Sequence, residues 1–168
     1  MRLFAAILFS DEVRQTLVLA IDLLKQQVRH GSFTCPENLH VTLAFIGETT
    51  RITEAKEALR TAVNLHPGSF PLRLRASGRF NDTIWADIAD SPELSVLAQD
   101  IQDELRKQGF FVERRAFRPH ITLARRVNCK QIQLPIPARE INVTFVSLVK
   151  SEYIDHHLRY TEIYRVNL

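Results

Sequence analysis

Two residue pairs in this chain could do acid–base chemistry, and they sit in one repeated word. His40-Val41-Thr42-Leu43-Ala44 recurs as His120-Ile121-Thr122-Leu123-Ala124, with the histidines 80 positions apart. Alternate side chains of an extended strand point to opposite faces. Each His therefore shares a face with its Thr, while the β-branched residue and Leu anchor the other face. Neutral imidazole is a base near pH 7 and imidazolium an acid. Two histidines flanking one bound group can divide these roles: one activates water, the other protonates a leaving oxygen. Two hydroxyls can hold an anion between them, and arginine can balance its charge. A phosphodiester is the substrate this set suits, with no metal required.

The surroundings of the second word fit that chemistry. Arg114, Arg115, Arg118, Arg125 and Arg126 crowd around it, although Arg114, Arg115 and Arg126 read better as a solvated basic loop. Of 22 basic residues 17 are Arg, the residue suited to bidentate phosphate contact. The net charge of +3 is too mild to establish a nucleic-acid partner by itself. A zinc site needs three or four ligands. No Asp or Glu shares a strand face with either motif, His156 and His157 are adjacent and would diverge on a strand, and His30 and His66 read as helix-end residues. We expect no metal and no other cofactor. Cys35 and Cys129 make neither a metal-ligand spacing nor a disulfide framework, which points to a reducing, cytoplasmic location. The apolar start, Met1 to Phe9, is too short to span a membrane and lacks a signal-peptide cleavage pattern.

The elements that must position these residues follow from periodicity. Arg2 to Phe9 reads as a buried strand. Ser10 is placed to cap a helix carrying Val13, Leu17, Ile21, Leu24 and Val28, with Gly31 ending it. Leu39, Val41, Leu43 and Phe45 alternate with His40, Thr42 and Ala44 in a strand that stops near Gly47. A helix from Thr53 to about Asn64 follows, then strands at Phe70 to Ala76 and Ile84 to Ile88, with Trp85 on the opposite face. Ser91-Pro92-Glu93 starts a helix that Gly109 ends. Phe110 to Val112 reads as a short strand, His120 to Arg125 as the second motif strand, and Ile141 to Val149 and Leu158 to Val166 as the last two. The Pro-rich stretch from Leu134 to Pro137 is a loop. With 168 residues and no linker, we expect one domain over 1–168. The order predicts an α+β fold of two pseudo-symmetric halves, with mainly antiparallel sheets lining a central groove and helices outside.

These stretches resemble a known family. The paired His-x-Thr-x motifs are similar to those of the two-histidine (2H) phosphoesterase superfamily. Within it, the flanks resemble the RNA 2′,3′-cyclic phosphodiesterases, also called 2′-5′ RNA ligases (LigT-like). The matching segments are Arg2 to Ile7, Pro36 to Gly47, Phe70 to Leu72, Phe117 to Arg125 and Tyr160 to Leu168. The resemblance implies a bilobal fold and metal-independent opening of an RNA 2′,3′-cyclic phosphate end, such as that of a tRNA fragment, to a 2′-phosphate. It implies His40 as proton donor, His120 as proton acceptor, Thr42 and Thr122 as phosphate anchors and Arg125 as helper. Small cyclic phosphates, ATP-independent 2′-5′ ligation at the same site and a non-catalytic RNA-binding module are the alternatives. The chain departs from the family at Ser32-Phe33, where Arg-Trp is common, and at Cys35, where Pro is common. Phe33 remains a candidate for stacking on a base. We expect a monomer with no membrane association.

Overall fold

The computed structural model describes residues 1–128, 132 and 134–168; Cys129 lies outside them. Nine strands and three α-helices alternate along the described chain as β1 (Arg2–Leu8), α1 (Asp11–Gln27), β2 (Ser32–Phe33), β3 (His40–Glu48), α2 (Ile52–Val63), β4 (Phe70–Phe80), β5 (Thr83–Ile88), α3 (Pro92–Lys107), β6 (His120–Arg125), β7 (Glu140–Val143), β8 (Phe145–Ile154) and β9 (His157–Asn167). A 3-10 turn at Pro36–Asn38 leads into β3. The strands form two antiparallel sheets, ordered β3-β1-β8-β9 and β2-β6-β5-β4-β7. The fold is α+β, as expected.

The repeated word sits in two matched units. β3 pairs antiparallel with β1 across α1, and β6 pairs antiparallel with β5 across α3. The helices cross over: α3 leaves β5 and packs on β3, while α1 leaves β1 and packs on β6. α2 packs beside α3 and covers β8 and β9. This weaving gives both sheets one main core, built from residues such as Leu3, Ile7, Leu43, Leu94, Ile101 and Leu123. The lobes are therefore not two contiguous halves of the sequence. Both ends of the chain build the first sheet, and the middle builds the second. No described helix is long and apolar enough to cross a membrane.

Local signals explain both ends of α3. The Ser91 Oγ accepts the Leu94 N–H at 3.2 Å, with Pro92 at the first helical position, and Gly109 adopts φ +80° just beyond α3. His66, just past α2, bonds Asp100 of α3 at 2.7 Å. Other expectations are corrected. Ser10 makes no side-chain cap, and α1 ends at an extended Val28 rather than at Gly31. Phe110 to Val112 forms no strand; the Arg106 guanidinium donates to the Val112 carbonyl instead. The Ile141 to Val149 stretch breaks at Thr144, so that β7 pairs β4 in one sheet and β8 pairs β1 in the other. A continuous apolar pattern cannot reveal such a change of sheet, because both pieces are buried.

Candidate active site

β3 and β6 are the strands at which the two sheets approach each other. Both carry the same irregularity. Ala5 and Ala6 face Ala44 and Thr42, leaving Leu43 extra; Ile84 and Trp85 face Ala124 and Thr122, leaving Leu123 extra. Each is a β-bulge, which re-aims the side chains beyond it. Leu43 and Ala44, and likewise Leu123 and Ala124, are all buried. The next residues, Phe45 and Arg125, are thrown to the same face as the His and Thr. Phe45 is thus 53% exposed and its ring lies 6.4 Å from that of Phe4. Unbroken alternation would place it in the core. The displaced carbonyls both find partners: Leu43 O accepts from the Gln102 side chain of α3 at 3.0 Å, and Leu123 O from the Thr34 backbone at 2.9 Å.

The histidines are held alike. The His40 Nδ1–H donates to the Asn38 carbonyl at 2.7 Å, and the His120 Nδ1–H to the Arg118 carbonyl at 2.8 Å, each two residues back. This fixes the tautomer, so the neutral ring offers Nε2 as an acceptor. The His40 Nε2 accepts the Thr42 hydroxyl at 2.9 Å. Each ring also meets an aromatic residue of the site face: Phe4 at 5.0 Å and Tyr160 at 5.2 Å for His40, Trp85 at 5.7 Å for His120. Trp85 lies flat over its cross-strand partner Gly78, where an added Cβ would come within 2.2 Å of the indole nitrogen. Thr34 ties the first motif's approach to the second motif, its hydroxyl donating to the Thr122 carbonyl at 2.9 Å.

The two rings differ in burial. Desolvation pushes the His40 imidazole below its ordinary value of 6.5, opposed by the Asn38 carbonyl and aided by the charges of His120 and Arg125. The strands that carry His40 with Thr42 and His120 with Arg125 are in contact. A consequence for stability follows. The unfolded chain binds a proton at His40 that the folded chain resists, so this stabilisation is full above pH 6.5 and is lost as pH falls through the lower folded value. Urea midpoints at pH 7 and pH 5 should therefore diverge less in His40→Gln than in the unsubstituted protein. An equal divergence would show that His40 burial carries no such linkage.

Other candidates stand apart. Phe33 pairs with Ala124, which the bulge has turned to the core. It accordingly packs against the main core with Lys25 over its ring at 5.7 Å, and does not line the site face. Arg115 pairs with Glu113 at 3.4 Å, and Arg126 is bound to the Ser32 hydroxyl. His156 occupies the β8–β9 turn with φ +64°. Among the described residues, no three His, Cys, Asp or Glu side chains cluster to hold a metal ion. Cys35 is a free, exposed thiol. Sequence reasoning missed Asn38, Tyr160, Phe4 and Trp85, whose contacts with the histidines come from sheet pairing and curvature.

Comparisons with known proteins bear on the family and the fold. The model of the 2′-5′ RNA ligase superfamily matches residues 10–149. An RNA 2′,3′-cyclic phosphodiesterase of Escherichia coli is 30% identical over 169 residues, covering 90% of this chain and 95% of its own. The crystal structure of Escherichia coli LigT complexed with 3′-AMP superposes with a TM-score of 0.84 at 29% identity, over 99% of this chain and 97% of that one. A Thermus thermophilus protein superposes with a TM-score of 0.87 at 26% identity, over 100% of this chain and 98% of that one. On these grounds the chain belongs to the 2′-5′ RNA ligase superfamily.

Proposed function

We propose that this protein hydrolyses the 2′,3′-cyclic phosphate at the end of an RNA to a 2′-phosphate, without a metal. The observation that carries the reading is the matched setting of His40 and His120: each Nδ1–H is committed to a backbone carbonyl, which leaves Nε2 as the proton-exchanging nitrogen, held by the Thr42 hydroxyl in His40. In this reading His120 takes a proton from water as the oxygen attacks phosphorus. His40, as imidazolium, donates its Nε2 proton to the departing 3′ oxygen. The bond from phosphorus to that oxygen breaks as the bond to water forms, and the 2′ ester survives. Thr42 and Thr122 hold the phosphate oxygens, and Arg125 offsets charge in the transition state. The relatives named RNA 2′,3′-cyclic phosphodiesterase support the reaction class.

The same reading gives a monomeric single domain over 1–168 acting in the cytoplasm with no cofactor. The decisive experiment incubates the protein, in EDTA, with an oligonucleotide ending in a 2′,3′-cyclic phosphate. The expected product is the 2′-phosphate end at an undiminished rate. Loss of activity in EDTA, restored by added metal, would overturn the mechanism.

A further inference from the structure

β1 places Arg2 on the site face. Its register with β8 is unbroken, and Phe4 and Ala6 form a small buried cluster there with Val149, against which Leu8 and Tyr160 pack. Alternation puts Arg2 beside them. One row of the sheet sets Arg2 opposite Ser151, and Ser151 opposite Tyr160. The charges of Arg125 and Arg2 both act on the Tyr160 hydroxyl, which burial keeps protonated and able to donate. The charge of Arg125 also acts on His40. Tyr160 thus meets the His40 ring at 5.2 Å on one side and shares a sheet row with Arg2 on the other.

Among the described residues, these two arginines have no carboxylate partner. Arg73, Arg106, Arg139 and Arg165 are each held in an ion pair, whereas Arg2 and Arg125 have no side-chain hydrogen bond or ion pair among the described residues. Glu48, which pairs opposite Arg2, is taken by the Met1 ammonium at 3.3 Å. Two guanidinium groups and a phenol with open donors make an anion site.

We propose that Arg2, the Tyr160 hydroxyl and Arg125 form a second phosphate site, which takes the phosphodiester on the 5′ side of the terminal nucleotide. This rests on the functional reading above and adds a substrate class: oligonucleotide ends, in preference to nucleoside 2′,3′-cyclic phosphates, which carry no such phosphate. Equilibrium binding tests it with two product-like probes, a dinucleotide ending in a 2′-phosphate and the matching nucleoside 2′-phosphate. The protein should favour the dinucleotide, and Arg2→Gln should cut that preference by about tenfold, with part of it restored in Arg2→Lys. Replacing the internal phosphodiester by a neutral methylphosphonate should cost the unsubstituted protein a similar factor and cost Arg2→Gln little more. The slope of log affinity against log salt should fall by about 1 in Arg2→Gln. An unchanged preference in Arg2→Gln, or additive losses with the methylphosphonate, would overturn the site. Because the readout is binding, a protein that keeps this preference yet fails to open the cyclic phosphate would remove the functional reading and support the site.

Discussion

Replacing either His40 or His120 with alanine is expected to lower kcat/KM on an RNA 2′,3′-cyclic phosphate end by about 10²- to 10⁴-fold, the range for a positioned general acid or base. The double variant loses little more than the worse single one, because acid and base act as a unit. Full activity in either single variant would sink the mechanism. The pH dependence distinguishes the two roles. As the acid, His40 must be protonated, so activity falls as pH rises through its titration. Burial holds that titration below 6.5 in the free protein. A bound phosphate brings negative charge beside the ring and favours the imidazolium. The alkaline limb of kcat/KM, which reports the free protein, should accordingly lie at lower pH than the alkaline limb of kcat, which reports the complex. Coincident limbs would mean that His40 is not the acid.

The repeated word was readable because its information is local. Strand parity is enough to put His40 with Thr42 and His120 with Thr122 on shared faces, and Ser91-Pro92 and Gly109 mark their helix ends through backbone chemistry alone. Parity failed beyond Leu43 and Leu123. A bulge depends on what the neighbouring strand and packed helix offer, here the Gln102 amide that takes the Leu43 carbonyl, and nothing in the strand's own pattern announces it. The surroundings of Phe33 were likewise not legible: its pairing with Ala124 and its packing against the core come from the sheet. Thr144 is a third case, since only the topology decides that the chain changes sheets there. The asymmetry between the two histidines also belongs to the fold. The words are alike, but Phe4 and Tyr160 close over His40, and Trp85 alone among aromatic rings of the described residues meets His120.

Asn38 shows how such closure is built, and its removal has the second large effect we expect. β3 and β9 are opposite edges of one four-stranded sheet, yet the Asn38 amide, just ahead of β3, reaches β9. Its Nδ2 donates to the Leu158 carbonyl at 2.8 Å, and its Oδ1 accepts the Tyr160 N–H at 3.1 Å. Curvature brings the edges together, and one side chain supplies the bonds a neighbouring strand would make. The residue is only 8% exposed, and its own carbonyl orients His40 at 2.7 Å. Asn38→Ala leaves two β9 backbone groups without a partner, which costs about 2–4 kcal/mol if each loses a partly desolvated bond. The urea midpoint should drop accordingly. Activity at a temperature where the variant remains folded should fall by about tenfold or more, because Tyr160 and the His40 carbonyl anchor both shift. Asn38→Asp separates the two effects. It keeps the acceptor for Tyr160 but loses the donor to Leu158, and its carboxylate raises the His40 titration, so the alkaline limb of kcat/KM should move to higher pH as stability falls. An Asn38→Ala variant with unchanged midpoint and unchanged kcat would mean that the sheet closes without this clamp.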